Sequence, residues 1–130
     1  GLFRHLDTVL TDKTLIIADV GESLFAAADL RVRHRFEFLS PAYYTSMGFA
    51  VPAALGASFA DPTLRPIVLV GDGAFQMTGI ELSTIAKYQM KPVVFVLNND
   101  GYVTQRHIID GPFNNIHNWD YTKLTDLLRY

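Results

Sequence analysis

Ile67-Val68-Leu69-Val70-Gly71-Asp72-Gly73-Ala74 is the stretch on which the fold turns. Four branched apolar residues enter through Pro66 and break into an aspartate held between glycines. An uninterrupted apolar run of this length suits a strand buried on both faces, the habit of parallel sheets. Val93-Val94-Phe95-Val96-Leu97, entered through Pro92, repeats the pattern and runs into Asn98-Asn99-Asp100-Gly101-Tyr102. Thr14-Leu15-Ile16-Ile17-Ala18 ends at Asp19-Val20-Gly21 and reads the same way. Arg35 to Leu39 alternates, as a shorter strand nearer the sheet edge would.

Helical patterns lie between these runs. Residues Leu2 to Leu10 place Leu2, Leu6, Val9 and Leu10 on one face. Leu24 to Leu30 follows Ser23, a suitable N-cap. Met47 to Ala60 is dominated by small residues, with Pro52 near its start, where a missing N–H costs least. Thr78 to Tyr88 turns Ile80, Leu82, Ile85 and Ala86 inward and Glu81 and Lys87 outward. The order β-α-β-α-β-α-β predicts a three-layer α/β/α domain with a mainly parallel sheet.

Ligands of open α/β sheets bind at the carboxyl ends of strands. Asp72 and Asn99 stand at two such ends, and a carboxylate with an amide oxygen is a hard donor set suited to Mg²⁺ or Ca²⁺. Gly73 and Ala74 are small enough to let a phosphate approach the backbone N–H groups that open the next helix. A lone Gly-Asp-Gly is more often a plain strand-to-helix turn, and Asn-Asn-Asp-Gly alone is a common loop. Together they carry more weight. Gly71-Asp72-Gly73, residues 74 to 97, then Asn98-Asn99 resembles the signature of thiamine diphosphate enzymes, GDG and NN about two dozen residues apart.

The resemblance covers most of the chain. Ala18-Asp19-Val20-Gly21-Glu22-Ser23 is similar to the family segment that meets the aminopyrimidine ring. Tyr43-Tyr44-Thr45-Ser46-Met47-Gly48-Phe49 resembles the segment whose bulky apolar residue bends the cofactor. Ile109 to Ile116, followed by Asn118-Trp119-Asp120-Tyr121, resembles the pyruvate and indolepyruvate decarboxylase branch rather than the acetolactate synthases. The implied fold is the diphosphate-binding domain of the thiamine diphosphate-binding fold, with thiamine diphosphate and Mg²⁺ as cofactors. By the same resemblance Asp72, the Asn99 side chain and the Gly101 carbonyl hold Mg²⁺, while Gly73 and Ala74 present N–H groups to the diphosphate. Tyr102 follows in the same cofactor-binding loop. Met47 is the apolar wedge, although its helical setting alone would make it an ordinary core methionine. The Thr45 carbonyl accepts from the pyrimidine 4′-amino group, and Gly21 and Glu22 line the pyrimidine pocket.

The implied reaction is non-oxidative decarboxylation of a 2-oxo acid to an aldehyde and CO₂. One position departs from the pattern. Where the resembled decarboxylases carry a glutamate that assists protonation after CO₂ leaves, this chain has Gln105. A glutamine amide orients a water or a carboxylate but does not deliver a proton as an acid. The alternatives are therefore a decarboxylase-like carboligase or a catalytically silent binding module. The resemblance also implies a homodimer or homotetramer, in which the pyrimidine-binding domain of a second subunit completes the site. Phe25, Thr104 and Ile108 are candidates for the substrate channel, without deciding which 2-oxo acid enters it.

The composition agrees with one globular domain over residues 1–130. Of the 130 residues, 49% are hydrophobic and 18% charged, and the net charge of -2 makes no case for nucleic acid or an anionic membrane as partner. Arg31, Arg33, His34 and Arg35 form one short basic cluster that reads as a solvated loop. There is no cysteine, hence no disulfide framework. No apolar run approaches the length of a membrane span and no signal-peptide pattern opens the chain, so the expectation is a cytoplasmic domain. His5, His34, His107 and His117 read as solvent-facing or structural. The chain opens on Gly1-Leu2-Phe3 and closes inside an apolar-periodic stretch ending at Tyr130. It therefore reads as a truncated excerpt lacking its pyrimidine-binding and middle domains.

Overall fold

The computed structural model describes residues 1–129; Tyr130, the end of the apolar stretch at the C-terminus, lies outside them. Four strands, β1 (Thr14–Ala18), β2 (Phe38–Leu39), β3 (Arg65–Gly71) and β4 (Val93–Leu97), form one all-parallel sheet in the order β2-β1-β3-β4. Side chains alternate across it. Leu15, Ile17, Val68 and Val70 pack on one face with α3 (Ala50–Ala60), α4 (Asp72–Thr78) and α5 (Leu82–Lys87). Ile16, Ala18 and Leu69 pack on the other with α1 (Leu2–Val9) and α2 (Glu22–Ala27). The three-layer α/β/α expectation holds. No helix among the described residues is long and apolar enough to cross a membrane.

Several local expectations are corrected. Arg35–Glu37 is a 3₁₀ turn and only Phe38–Leu39 pairs as strand. The cause is Glu37, whose carboxylate folds back to accept from the Arg33 and His34 N–H groups. Ser23 is no N-cap: α2 begins at Glu22, and the Ser23 hydroxyl donates to the Asp19 carbonyl at 2.8 Å. The helix expected from Met47 starts at Ala50, because Gly48 is held at φ +81° and breaks the helical path.

The helix expected over Thr78 to Tyr88 is instead α4, a 3₁₀ turn at Gly79–Glu81 and α5. That tighter turn shifts the helical phase, so Ile80 is 65% exposed rather than inward, and Glu81 is half-buried rather than outward. Leu2 and Val9 are exposed, leaving Leu6, Leu10 and Phe3 to pack α1 onto the sheet. Strand β4 is half-buried along its length, not buried on both faces, because it lies at the sheet edge. The basic cluster is exposed, with Arg31 paired to Asp7 at 3.2 Å, and all four histidines face solvent.

The direction in which strands are added across the sheet reverses between β1 and β3: β2 lies outside β1, and β4 lies outside β3. Such a switch point leaves a crevice between diverging connections at the carboxyl ends of the strands. Pairing brings Ala18 level with Leu69 and Gly71 level with Leu97. The polar segments following β1, β3 and β4 therefore emerge side by side.

Candidate cofactor site

A cavity of about 310 Å³ opens over this switch point. Every residue singled out from the sequence lines it. From the end of β1 and the start of α2 come Gly21 and Glu22; from the turn before α3 come Thr45 and Met47. From the end of β3 and the start of α4 come Asp72, Gly73 and Ala74, and beyond β4 come Asn99, Gly101, Tyr102 and Gln105. Phe25, Thr104 and Ile108 also line it. Leu24 and Val103 were not anticipated; as plain apolar residues they carried no signal.

Asp72 anchors the polar end. It is 1% exposed. Its Oδ1 accepts from the Gly73 N–H at 2.7 Å, and its Oδ2 from the Asn99 and Gly101 N–H groups at 3.0 and 3.1 Å. One carboxylate thus ties the start of α4 to the loop after β4. The Asn99 amide packs against the same groups: its nitrogen turned inward donates to Asp72 Oδ1 and the Gly101 carbonyl oxygen, each at 3.2 Å. Turned the other way, the amide oxygen lies against both the Asp72 Oδ1 and the Gly101 carbonyl oxygen, a crowding of oxygens that a cation relieves. Adjacent oxygens around octahedral Mg²⁺ lie about 3.0 Å apart, given its bond length. The donor set and its spacing fit such an ion. No cluster of three or more His, Cys, Asp or Glu residues suited to a metal exists among the described residues.

The loop after β4 owes its shape to two positive φ angles, +63° at Asp100 and +116° at Gly101. A side chain at Gly101 would meet the Asn114 carbonyl oxygen at 2.2 Å. That carbonyl accepts from the Tyr102 N–H at 2.9 Å. Asn114 is itself buried, its amide donating to the Ile109 carbonyl at 2.8 Å. Arg106 completes the brace with bonds to Asp110 at 2.9 Å, Asn115 Oδ1 at 2.7 Å and the Asp100 carbonyl at 3.2 Å. Gly111 to Asn115 therefore clamps the back of the Asp100-Gly101 turn. Gln76, on α4, donates to Tyr121 Oη at 2.9 Å and the His117 carbonyl at 2.7 Å, pinning the following segment. Burial pushes the Tyr121 hydroxyl above its ordinary pKa.

Gly73 lies beneath the Tyr102 ring, which a Cβ at that position would meet at 2.4 Å. Its N–H is already engaged by Asp72, so a phosphate approaching here meets a committed donor at Gly73. At the opposite end, α6 (Val103–Arg106) brings Thr104 against Gly21, whose φ is +84°. Gln105 lines the cavity and is exposed, as are Phe25 and Ile108. The site has a polar, carboxylate-anchored floor and an apolar rim.

Residues 19–126 match the family model described as thiamine pyrophosphate enzyme, C-terminal TPP binding domain. Among curated proteins, pyruvate decarboxylase 1 of Oryza sativa subsp. indica is 39% identical over 127 residues, covering 98% of this chain and 21% of the rice protein. Pyruvate decarboxylase 2 of Pisum sativum is 37% identical over 127 residues, 98% of this chain and 31% of its own length. An alpha-keto-acid decarboxylase of Mycolicibacterium paratuberculosis is 40% identical over 123 residues, 93% of this chain and 22% of that protein. The chain thus spans between about a fifth and a third of the length of these relatives. Match, fold and switch-point cavity agree, and the chain belongs to the family of thiamine pyrophosphate enzyme C-terminal TPP binding domains.

Proposed function

We propose that this domain holds the diphosphate of thiamine diphosphate through Mg²⁺, within an enzyme that cleaves the carboxyl carbon from a 2-oxo acid. The observation that carries the reading is the Asn99 side-chain amide lying 3.2 Å from both Asp72 Oδ1 and the Gly101 carbonyl oxygen, three residues that line the cavity. Asp72, Asn99 and Gly101 supply three oxygens to the ion, and the diphosphate supplies others. Bound thiamine diphosphate supplies the nucleophilic carbon and the electron sink for loss of CO₂. The chain's own part is placement. Met47 and the Thr45 carbonyl face the pyrimidine half from one wall, and Gly21 and Glu22 line the other.

Phe25 and Ile108, apolar residues that line the cavity and are exposed, support a site completed by the pyrimidine-binding domain of a second subunit. Gln105 lines the cavity and is open to solvent, so a substrate entering the cavity could reach it. Its amide hydrogen-bonds a substrate carboxylate or a water, and it donates no acidic proton. Gln105 therefore offers no acid at this position, and a proton needed there would have to come from water or from the partner domain; a carboligase would need none at this step. A positioned acid is worth about 10²–10⁴ in rate.

The test uses the full-length protein. Asp72→Asn and Asn99→Leu should each abolish Mg²⁺-dependent retention of thiamine diphosphate, measured by calorimetry with the diphosphate and Mg²⁺ as titrants. Unchanged binding in both variants refutes the reading. Gln105→Glu should raise aldehyde release from a 2-oxo acid; an unchanged rate sinks the account of Gln105 while leaving the cofactor site standing.

A further inference from the structure

Asp19 stands at the carboxyl end of β1 with no solvent exposure, yet it does not line the cavity and none of the roles above uses it. Its carboxylate reaches across the sheet connection to the turn before α3. Oδ1 accepts from the Gly48 N–H at 3.2 Å and from the neighbouring Val20 N–H at 3.0 Å; Oδ2 accepts from the Ala50 N–H at 2.8 Å. No side chain within the helix caps the start of α3, so Asp19 satisfies buried donors that would otherwise lack partners. Its negative charge also faces the positive end of that helix.

The same peptide is gripped from the other side. The Thr78 hydroxyl donates to the Gly48 carbonyl at 2.8 Å, and a Cβ at Gly48 would lie 3.1 Å from both Met77 Cβ and Thr78 Cγ2. Gly48 is therefore fixed at its N–H by β1 and at its C=O by the end of α4. Met47 is the residue before it and lines the cavity. Thr45, two residues further back, is held by its own N–H donating to the Pro41 carbonyl at 2.8 Å. Since β1 leads directly into Gly21 and Glu22, Asp19 locks the two walls of the cavity to each other.

We propose that Asp19, opposed by Thr78, is a positioning clamp that sets Met47 and the Thr45 carbonyl against the pyrimidine half of the cofactor. The inference rests on the cofactor reading above. Asp19 touches no ligand; it acts through the Gly48 peptide. Removing it misplaces groups that do touch the cofactor, and a misplacement of about 1 Å near reacting atoms costs about 10²-fold in rate.

The experiment takes the full-length enzyme and compares Asp19→Asn, Thr78→Val and Thr78→Ser. Three quantities are read: thermal unfolding without cofactor, thiamine diphosphate affinity by calorimetry in Mg²⁺, and deuterium uptake at the cofactor's C2 by quenched-flow NMR. Asp19→Asn turns an NH₂ toward at least one backbone N–H and should slow uptake by about 10²-fold. Thr78→Val keeps the shape, removes one donor and should slow uptake by about tenfold, the worth of one hydrogen bond. Thr78→Ser keeps the hydroxyl and should restore it. A purely structural cap would lower only the unfolding temperature, so folded Asp19→Asn protein with wild-type affinity and uptake overturns the proposal. Where Asp19→Asn does not fold, wild-type uptake in Thr78→Val overturns it instead. A wild-type enzyme that fails to bind thiamine diphosphate overturns the cofactor reading itself, an outcome distinct from that of the variants.

Discussion

Replacing Gly101 by alanine tests the floor of the site at its least forgiving point. The backbone there sits at φ +116°, where an L side chain costs about 1–2 kcal/mol or more. The new Cβ would also stand 2.2 Å from the Asn114 carbonyl oxygen, against an ordinary contact of more than 3.4 Å, so one of the two backbones must retreat by about 1 Å. That retreat stretches the 2.9 Å bond from the Tyr102 N–H to the same oxygen past its useful range, a loss of about 1 kcal/mol. Together the terms predict a destabilisation of about 2–3 kcal/mol, read as a shifted urea midpoint in the full-length protein. The functional effect is separate. A Gly101 carbonyl displaced by about 1 Å leaves the Asp72–Asn99–Gly101 set, and Mg²⁺-dependent cofactor affinity should fall by about 10²-fold, by analogy with other misplaced groups. Gly73→Ala is the control: its Cβ meets the Tyr102 ring, the swinging end of a side chain, so the cost there is smaller. A Gly101→Ala protein with wild-type Mg²⁺-dependent affinity would refute the reasoning, whatever its stability.

Three further outcomes follow from the same geometry. Thr45 is a β-branched residue at φ +53°, so Thr45→Gly should be neutral or stabilising by up to about 1 kcal/mol in urea unfolding, the relief of strain outweighing the added chain entropy. Asp110 and Asp120 both have lowered pKa values, through hydrogen bonds led by Asn114 and by Thr122 respectively. Groups lowered in the folded state stabilise above the ordinary carboxylate pKa of about 4 and lose that contribution as pH falls through the folded values. Amide exchange over residues 100–122, after correction for its intrinsic pH dependence, should therefore rise relative to α3 below about pH 4. Arg106→Met removes the brace to Asp100, Asp110 and Asn115; exchange at Gly101 and Tyr102 should accelerate while global stability changes by less than about 1 kcal/mol, as expected for a partly exposed ion pair.

The parts of this fold that local chemistry decides could be read from the chain. Ile67 to Val70 and Thr14 to Ala18 read as strands because such short branched runs suit a sheet covered on both faces, and Asp72 and Asn99 meet because the one follows β3 directly and the other lies two residues beyond β4. What the chain concealed depends on distant partners. Asp19 reads as one more acidic residue at a strand end, since its receivers lie at Gly48 and Ala50 and no spacing rule links them. Asn114 reads as a polar loop residue, yet it is buried because the Asp100-Gly101 turn needs its carbonyl. Arg35–Glu37 alternates like a strand, but Glu37 finds two backbone donors close by and closes a turn instead. Strand β4 has the apolar content of a central strand and an edge strand's exposure, because coverage is a property of neighbours.

Strand register explains why a short motif can specify so much of the site. Gly71 pairs with Leu97, so the next residues out of the sheet are Asp72 on one strand and Asn98-Asn99 on the other. Moving β4 by one residue would turn each of its side chains to the opposite face, exchanging Val94 and Val96 for Phe95 against α5. The same shift would carry Asn99 and Gly101 together about 3.3 Å along the strand axis, more than the 3.2 Å over which the Asn99 amide reaches Asp72. The packing of β4 and the convergence of the three oxygens therefore rise or fall together. A glycine-aspartate-glycine turn without a correctly registered neighbour would be only a turn. Here the apolar faces of Val93 to Leu97 hold the register, and through it they place the carboxylate and the amide that make the site.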